Sequence, residues 1–248
     1  MSVSFFLAMM LLPQNSVDAA GDRLVPLVSA QGRSCTPNGR WCVALAEPED
    51  DQVLPRVHAG AVSTPMPPPA EEFSNETHTV WPNLVLLKDG GFLAGVEART
   101  STAYSGGGGS ATELRLFRIS TDGQAAATPV LRVPVAASLL IRACFGERDM
   151  KNRRGACHDE YSYSGDLGLA GEAAEGLPTL AYRSEANAFP RGVSRMEDSN
   201  AKPRLKKSDL VRERDPECSF SRRFRFDAAA GGYAPDAPLP DCSAYTVP

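Results

Sequence analysis

Apolar and polar positions in this chain change over in short runs, broken by Gly, Asn, Asp and Pro, and the spacing predicts strands rather than long helices. The clearest stretch is 81–98, WPNLVLLKDGGFLAGVEA, in which two apolar runs flank Lys88-Asp89-Gly90-Gly91. Asp-Gly tolerates the positive φ that a tight hairpin turn needs, so this stretch predicts a hairpin. Residues 84–87 are apolar at every position, which predicts a strand covered on both faces. Further strands are expected at 41–45, 52–58, 113–119, 129–133, 135–143 and 157–163. At 218–227, CSFSRRFRFD, the side chains of Phe220, Phe224 and Phe226 share one face and the arginines 223 and 225 the other. Residues 21–34 read as an irregular lead-in. Residues 104–111, YSGGGGSA, read as a mobile hairpin loop, since the Gly-Lys-Ser/Thr ending of a phosphate cradle is absent.

Together these runs predict an all-β fold of mostly antiparallel hairpins, propeller-like or sandwich, with few or short helices. The turn signals at 38–39, 89–90, 122–123 and 231–232 are unevenly spaced and define no fixed repeat. A proline-rich connector is expected at 63–78 and a solvated charged loop at 195–217, both within one β-rich domain spanning 21–248.

Three compositional features change the picture. The first is the start of the chain, where an apolar run at 3–12 is too short to cross a bilayer and leads to Val17-Asp18-Ala19-Ala20. That pattern predicts a secretory signal over 1–20, cleaved after Ala19 or Ala20, although no Lys or Arg precedes the run. No membrane span is expected, and the location predicted is periplasmic or secreted. The second feature is six cysteines, Cys35, Cys42, Cys144, Cys157, Cys218 and Cys242. Behind an export signal an even count predicts disulfides, and turn content and spacing favour pairing of sequence neighbours. Close cysteine pairs of the zinc-binding kind are absent, so neither metal nor cofactor is expected. The third is a net charge of −4, which gives no global attraction to nucleic acid or anionic lipid.

Candidate chemistry gathers in 144–161, CFGERDMKNRRGACHDEY, where a basic loop runs into His-Asp-Glu. As a strand, 157–163 places Cys157, Asp159, Tyr161 and Tyr163 on one face and His158, Glu160 and Ser162 on the other. Lys151, Arg153 and Arg154 are expected in a disulfide-closed loop, solvated and paired with the following acids. No Gly-x-Ser-x-Gly elbow and no His-Glu-x-x-His pair occurs. The reading is therefore an exported, non-catalytic protein that binds a protein or glycan partner in the cell envelope or outside the cell. Arg153, Arg154, His158, Glu160, Tyr161 and Tyr163 form its candidate surface. Two alternatives are a secreted hydrolase using carboxylates, with Glu160 beside His158, and an inhibitor of a secreted enzyme.

Overall fold

The computed structural model describes residues 16–30, 33–46, 52–60, 76–172 and 176–248. The first strands are β1 (Ser16–Val17), β2 (Arg23–Pro26), β3 (Val28–Ala30), β4 (Arg33–Cys35), β5 (Trp41–Leu45) and β6 (Pro55–Ala59). Four long strands follow: β7 (Glu76–Leu86), β8 (Phe92–Tyr104), β9 (Gly107–Ile119) and β10 (Leu131–Ile141). A short helix α1 (Glu147–Arg153) leads to β11 (Asp159–Leu169) and β12 (Leu180–Phe189). The chain ends with β13 (Glu213–Arg214), β14 (Ser221–Asp227), β15 (Gly232–Pro235) and a single helical turn, α2 (Ser243–Thr246).

Every strand pairing among the described residues is antiparallel. An 11-stranded sheet runs β1-β2-β7-β8-β9-β10-β11-β12-β14-β15, with β13 on β12, and a second sheet runs β3-β4-β5-β6. Of the two all-β arrangements expected, the sandwich is the one formed: the small sheet packs on one face of β7–β9. Alternation along the strands dictates this. Phe92, Ala94 and Val96 of β8 face Val43 and Val57 of the small sheet, while Leu93 points to the opposite face. There it joins Trp81, Val85, Leu114, Leu116, Leu167, Leu180, Tyr182 and Phe224 in a second core. Burying one side chain of this size contributes about 1.5–3 kcal/mol, so a register slip of one residue in β8 would exchange both cores and cost many times that. A third core closes the far ends of β10–β12 against the C-terminal tail, with Leu139, Tyr161, Tyr163, Ala186, Cys218, Cys242 and Tyr245.

A bulge in β10 between Pro134 and Ala136 joins the second and third cores. Pro134 has no N–H to give to a ladder and so suits a bulge. The Tyr182 hydroxyl donates to the Pro134 carbonyl at 2.6 Å and accepts from the Tyr163 hydroxyl at 2.7 Å. Residue 165 must be glycine here, because a Cβ would lie 2.5 Å from the Pro134 oxygen and 2.6 Å from the Tyr182 hydroxyl.

The three disulfides join sequence neighbours as expected: Cys35–Cys42, Cys144–Cys157 and Cys218–Cys242. The hairpin at 88–91 and strand β5 also form where expected.

Three expectations are corrected, and one strand was not anticipated. Residues 21–34 are strands rather than an irregular lead-in: β2 joins the large sheet and β3–β4 the small one. The glycine run is not a loop; β8 and β9 pair to their ends, Tyr104 opposite Gly107. Glycine is required at 107 because a Cβ would meet the Leu140 carbonyl of β10 at 2.1 Å. Segments 129–133 and 135–143 are largely one strand interrupted by the bulge. Strand β12, which no expectation covered, pairs with β11 on one side and with β13 and β14 on the other.

Residues 1–15 of the expected signal and 63–75 of the expected connector lie outside the described residues, and 76–78 begin β7. Ser16 and Val17 pair with β2, Asp18 is buried, and its Oδ1 accepts from the Ala20 and Asp22 amides at 2.9 Å each.

Candidate functional site

The basic loop 144–157 is a cap on the end of β10 and β11. Cys144–Cys157 closes its base and α1 forms its rim. Glu147 and Asp149 in the first turn and Lys151 and Arg153 in the last match the helix dipole, and Arg154 ends the helix in the left-handed region, at φ 52°.

Underneath lies a charged node. Asp159, with 0% exposure, accepts from Arg153 on one oxygen and from Arg142 on the other at 2.9 Å. Arg153 is itself 3% exposed and also donates to the Ala156 carbonyl at 3.0 Å. This corrects the expectation of a solvated Arg153, which is the internal anchor of the cap. A dry arginine requires a partner, and Asp159, six residues further on, supplies it. Arg142 adopts φ 56°, uncommon for a residue with a Cβ, and a further N–H of its guanidinium reaches the Arg195 carbonyl at 3.0 Å. The cap is thereby tied to the charged segment 195–217, which forms two 3₁₀ turns and β13. Additional ties are Arg154 to the Leu205 carbonyl, 2.6 Å, and the Leu205 amide to the Asn152 carbonyl, 2.9 Å.

The six expected surface residues divide into a buried and an outer set. Tyr161 and Tyr163 are buried in the third core, facing inward with Asp159. Tyr161 packs edge-on against Tyr245, 5.7 Å between centroids, and its buried hydroxyl has no hydrogen-bond partner. Burial, aided by the Asp159 charge, pushes that phenol up to about 12. Arg154, His158 and Glu160 lie on the outer side. Glu160 is held by Arg212 of the 195–217 segment at 2.5 Å, so the carboxylate that a His158–Glu160 acid–base pair would use is already engaged in an ion pair.

Sequence reading missed the apolar part of the same end of the molecule. Phe145 is 75% exposed, and its ring lies against Gly106 at the tip of the β8–β9 hairpin. Tyr104, half-exposed on that tip, donates to the Leu140 carbonyl at 3.2 Å, and the Leu140 side chain is exposed beside it. Met150 of α1 is exposed as well. Phe145 was legible as an aromatic inside a hydrophilic loop. The approach of Tyr104 and Leu140 depends on the glycine-permitted contact of β9 with β10, which spacing does not reveal.

Elsewhere, Arg115 bridges Glu76 and Glu113, His78 pairs with Glu76 at 2.7 Å, and Arg132 reaches Glu113 at 2.9 Å. This ion chain links β7 to β9 across β8 and continues to β10. Among the described residues no group of three His, Cys, Asp or Glu side chains is placed to hold a metal ion, and no helix is long and apolar enough to cross a membrane. No protein family, curated protein or solved structure matches this chain.

Proposed function

We propose that this is an exported protein that binds a macromolecular partner, protein or glycan, in the cell envelope or outside the cell. Three closed disulfides suit an oxidising compartment, which is consistent with export. The observation that carries the binding reading is the cap: Phe145, Tyr104 and Leu140 are exposed together on a platform immobilised by Cys144–Cys157 and the buried Arg153–Asp159–Arg142 node. Exposed apolar groups on a rigid support, rimmed by Glu147, Arg148, Lys151 and Arg154, have the character of an interface centre with a polar margin. Of the six residues expected in the interface, Arg154, His158 and Glu160 supply that margin. Arg153, Tyr161 and Tyr163 support it from below.

A photo-crosslinking side chain at position 145 tests this in the producing cells. The control position is Thr121, just beyond the far end of β9, whose 13 residues span roughly 40 Å at 3.4 Å per residue. A discrete adduct at 145, absent at 121 and lost on Tyr104→Ser, is the expected result. Equal labelling at both positions, or none at 145, overturns the assignment.

A further inference from the structure

A second feature lies between the two sheets, in a cleft of about 290 Å³. Val25 of β2 and Leu86 of β7 supply one wall, and the 36–41 hairpin of the small sheet supplies the other. We infer that this cleft is a binding site for a small organic carboxylate carrying a flat apolar body.

Three observations lead there. The first is charge. Arg23 and Arg40 line the cleft from opposite walls, and neither has a carboxylate partner among the described residues. Two guanidinium groups with no carboxylate partner among the described residues, at one cleft of a net-acidic chain, form a local positive site, and their planar forks match a carboxylate.

The second observation is the apolar lining. Trp41, Val25 and Leu86 are each part-buried there, which suits a ring or short chain. Arg40 lies 5.5 Å from the centre of the Trp41 ring, so the cation is held over the aromatic that would cover the ligand body. The cleft has the volume of roughly ten waters at about 30 Å³ each, which sets the ligand near ten non-hydrogen atoms.

The third is rigidity. Cys35–Cys42 locks the hairpin. Within it Thr36 Oγ1 donates to Asn38 Oδ1 at 2.8 Å and accepts from the Trp41 amide at 3.1 Å. A preformed wall of this kind loses little entropy on binding. Because Asn38 Oδ1 also accepts from the Arg40 amide, the side-chain NH₂ of Asn38 is its remaining hydrogen-bonding group, a donor suited to an anion.

Phenylacetate, with ten non-hydrogen atoms, is the probe, and phenylacetamide is its uncharged match. Trp41 and Trp81 are the two tryptophans, and only Trp41 lines the cleft, so a ligand-induced change in fluorescence reports on Trp41. Amide chemical shifts of Arg23–Pro26 and residues 36–41 give a second, independent readout. Saturable changes in both with phenylacetate are expected, at least ten-fold weaker with phenylacetamide and at least ten-fold weaker in Arg23→Gln/Arg40→Gln. The inference is overturned if the amide binds as well as the carboxylate. It is equally overturned if no saturable shift appears at these residues up to about 10 mM, beyond the millimolar affinity expected of a small site.

Discussion

Replacing Asp159 by Asn puts the internal anchor of the cap to a direct test. The carboxylate is fully buried and faces two guanidinium groups, Arg153 at 4% side-chain exposure and Arg142 at 20%. Asn keeps the shape and one acceptor, but it removes the negative charge and turns an NH₂ toward one of the arginines. Removing one partner of a buried ion pair costs about 3–5 kcal/mol, because the remaining charge has neither water nor a counter-ion. Against a total stability of about 5–15 kcal/mol this is a large fraction. With a urea dependence near 3 kcal/mol per molar, the unfolding midpoint falls by about 1–1.7 M. The adjacent residue supplies the control. Glu160 pairs with Arg212 at 31% and 56% side-chain exposure, and such a pair contributes about 0–1 kcal/mol, so Glu160→Gln is expected to move the midpoint little. Urea unfolding followed by far-UV circular dichroism compares the two. If Asp159→Asn costs no more than Glu160→Gln, the node is not the anchor, and the account of a rigid cap fails.

Three further outcomes follow from the fold. Gly165→Ala should destabilise by about 1–3 kcal/mol as an overpacked site, and adding Tyr182→Phe should recover only part of the loss, since the Pro134 carbonyl still obstructs the methyl group; thermal melts of both variants measure this. Asp22 is buried, and burial, with the Asp18 charge beside it, holds its carboxyl above the ordinary range of about 3.9 despite the Lys88 amide bonded to it. A raised folded value means stability is lost as pH rises from about 4 through the folded pKa. Asp22→Asn should therefore exceed the wild type in stability at neutral pH, with the advantage shrinking toward pH 4, and a pH-independent difference in urea midpoints would refute the assignment. Opening Cys218–Cys242, whose separation is 24 residues, by Cys→Ser at both positions should cost about 3.5 kcal/mol by loop-closure entropy, read from the same unfolding curves.

Much of the fold was legible because its signals are local. Asp89-Gly90 declares a hairpin, and the alternation of Phe220, Phe224 and Phe226 with arginines declares the inward face of β14; all three aromatics pack on the second core. The even number of closely placed cysteines indicated their partners. β12 escaped notice because Ala186 and Ala188 carry little hydrophobic contrast, and their burial comes from cross-strand neighbours on β11. The glycine run misled for a related reason. Glycine weakens a strand in isolation, yet at Gly107 it is the residue that admits the adjacent backbone. Parity along 157–163 correctly divided His158 and Glu160 from Tyr161 and Tyr163, but parity does not reveal which face is dry. Arg153 read as solvated because it stands among charged residues, and only the position of Asp159 beneath the cap draws it inward.

The three hydrophobic clusters are not independent compartments. β7, β8 and β9 send alternate side chains into the first and second, and β10, β11 and β12 supply both the second and the third. No long strand can detach without unsealing two of them at once. Partial opening of this protein is therefore nearly as costly as complete unfolding, and slow amide exchange should extend through β8–β12 as a block. Such shared walls leave few intermediate states for a protease to cut.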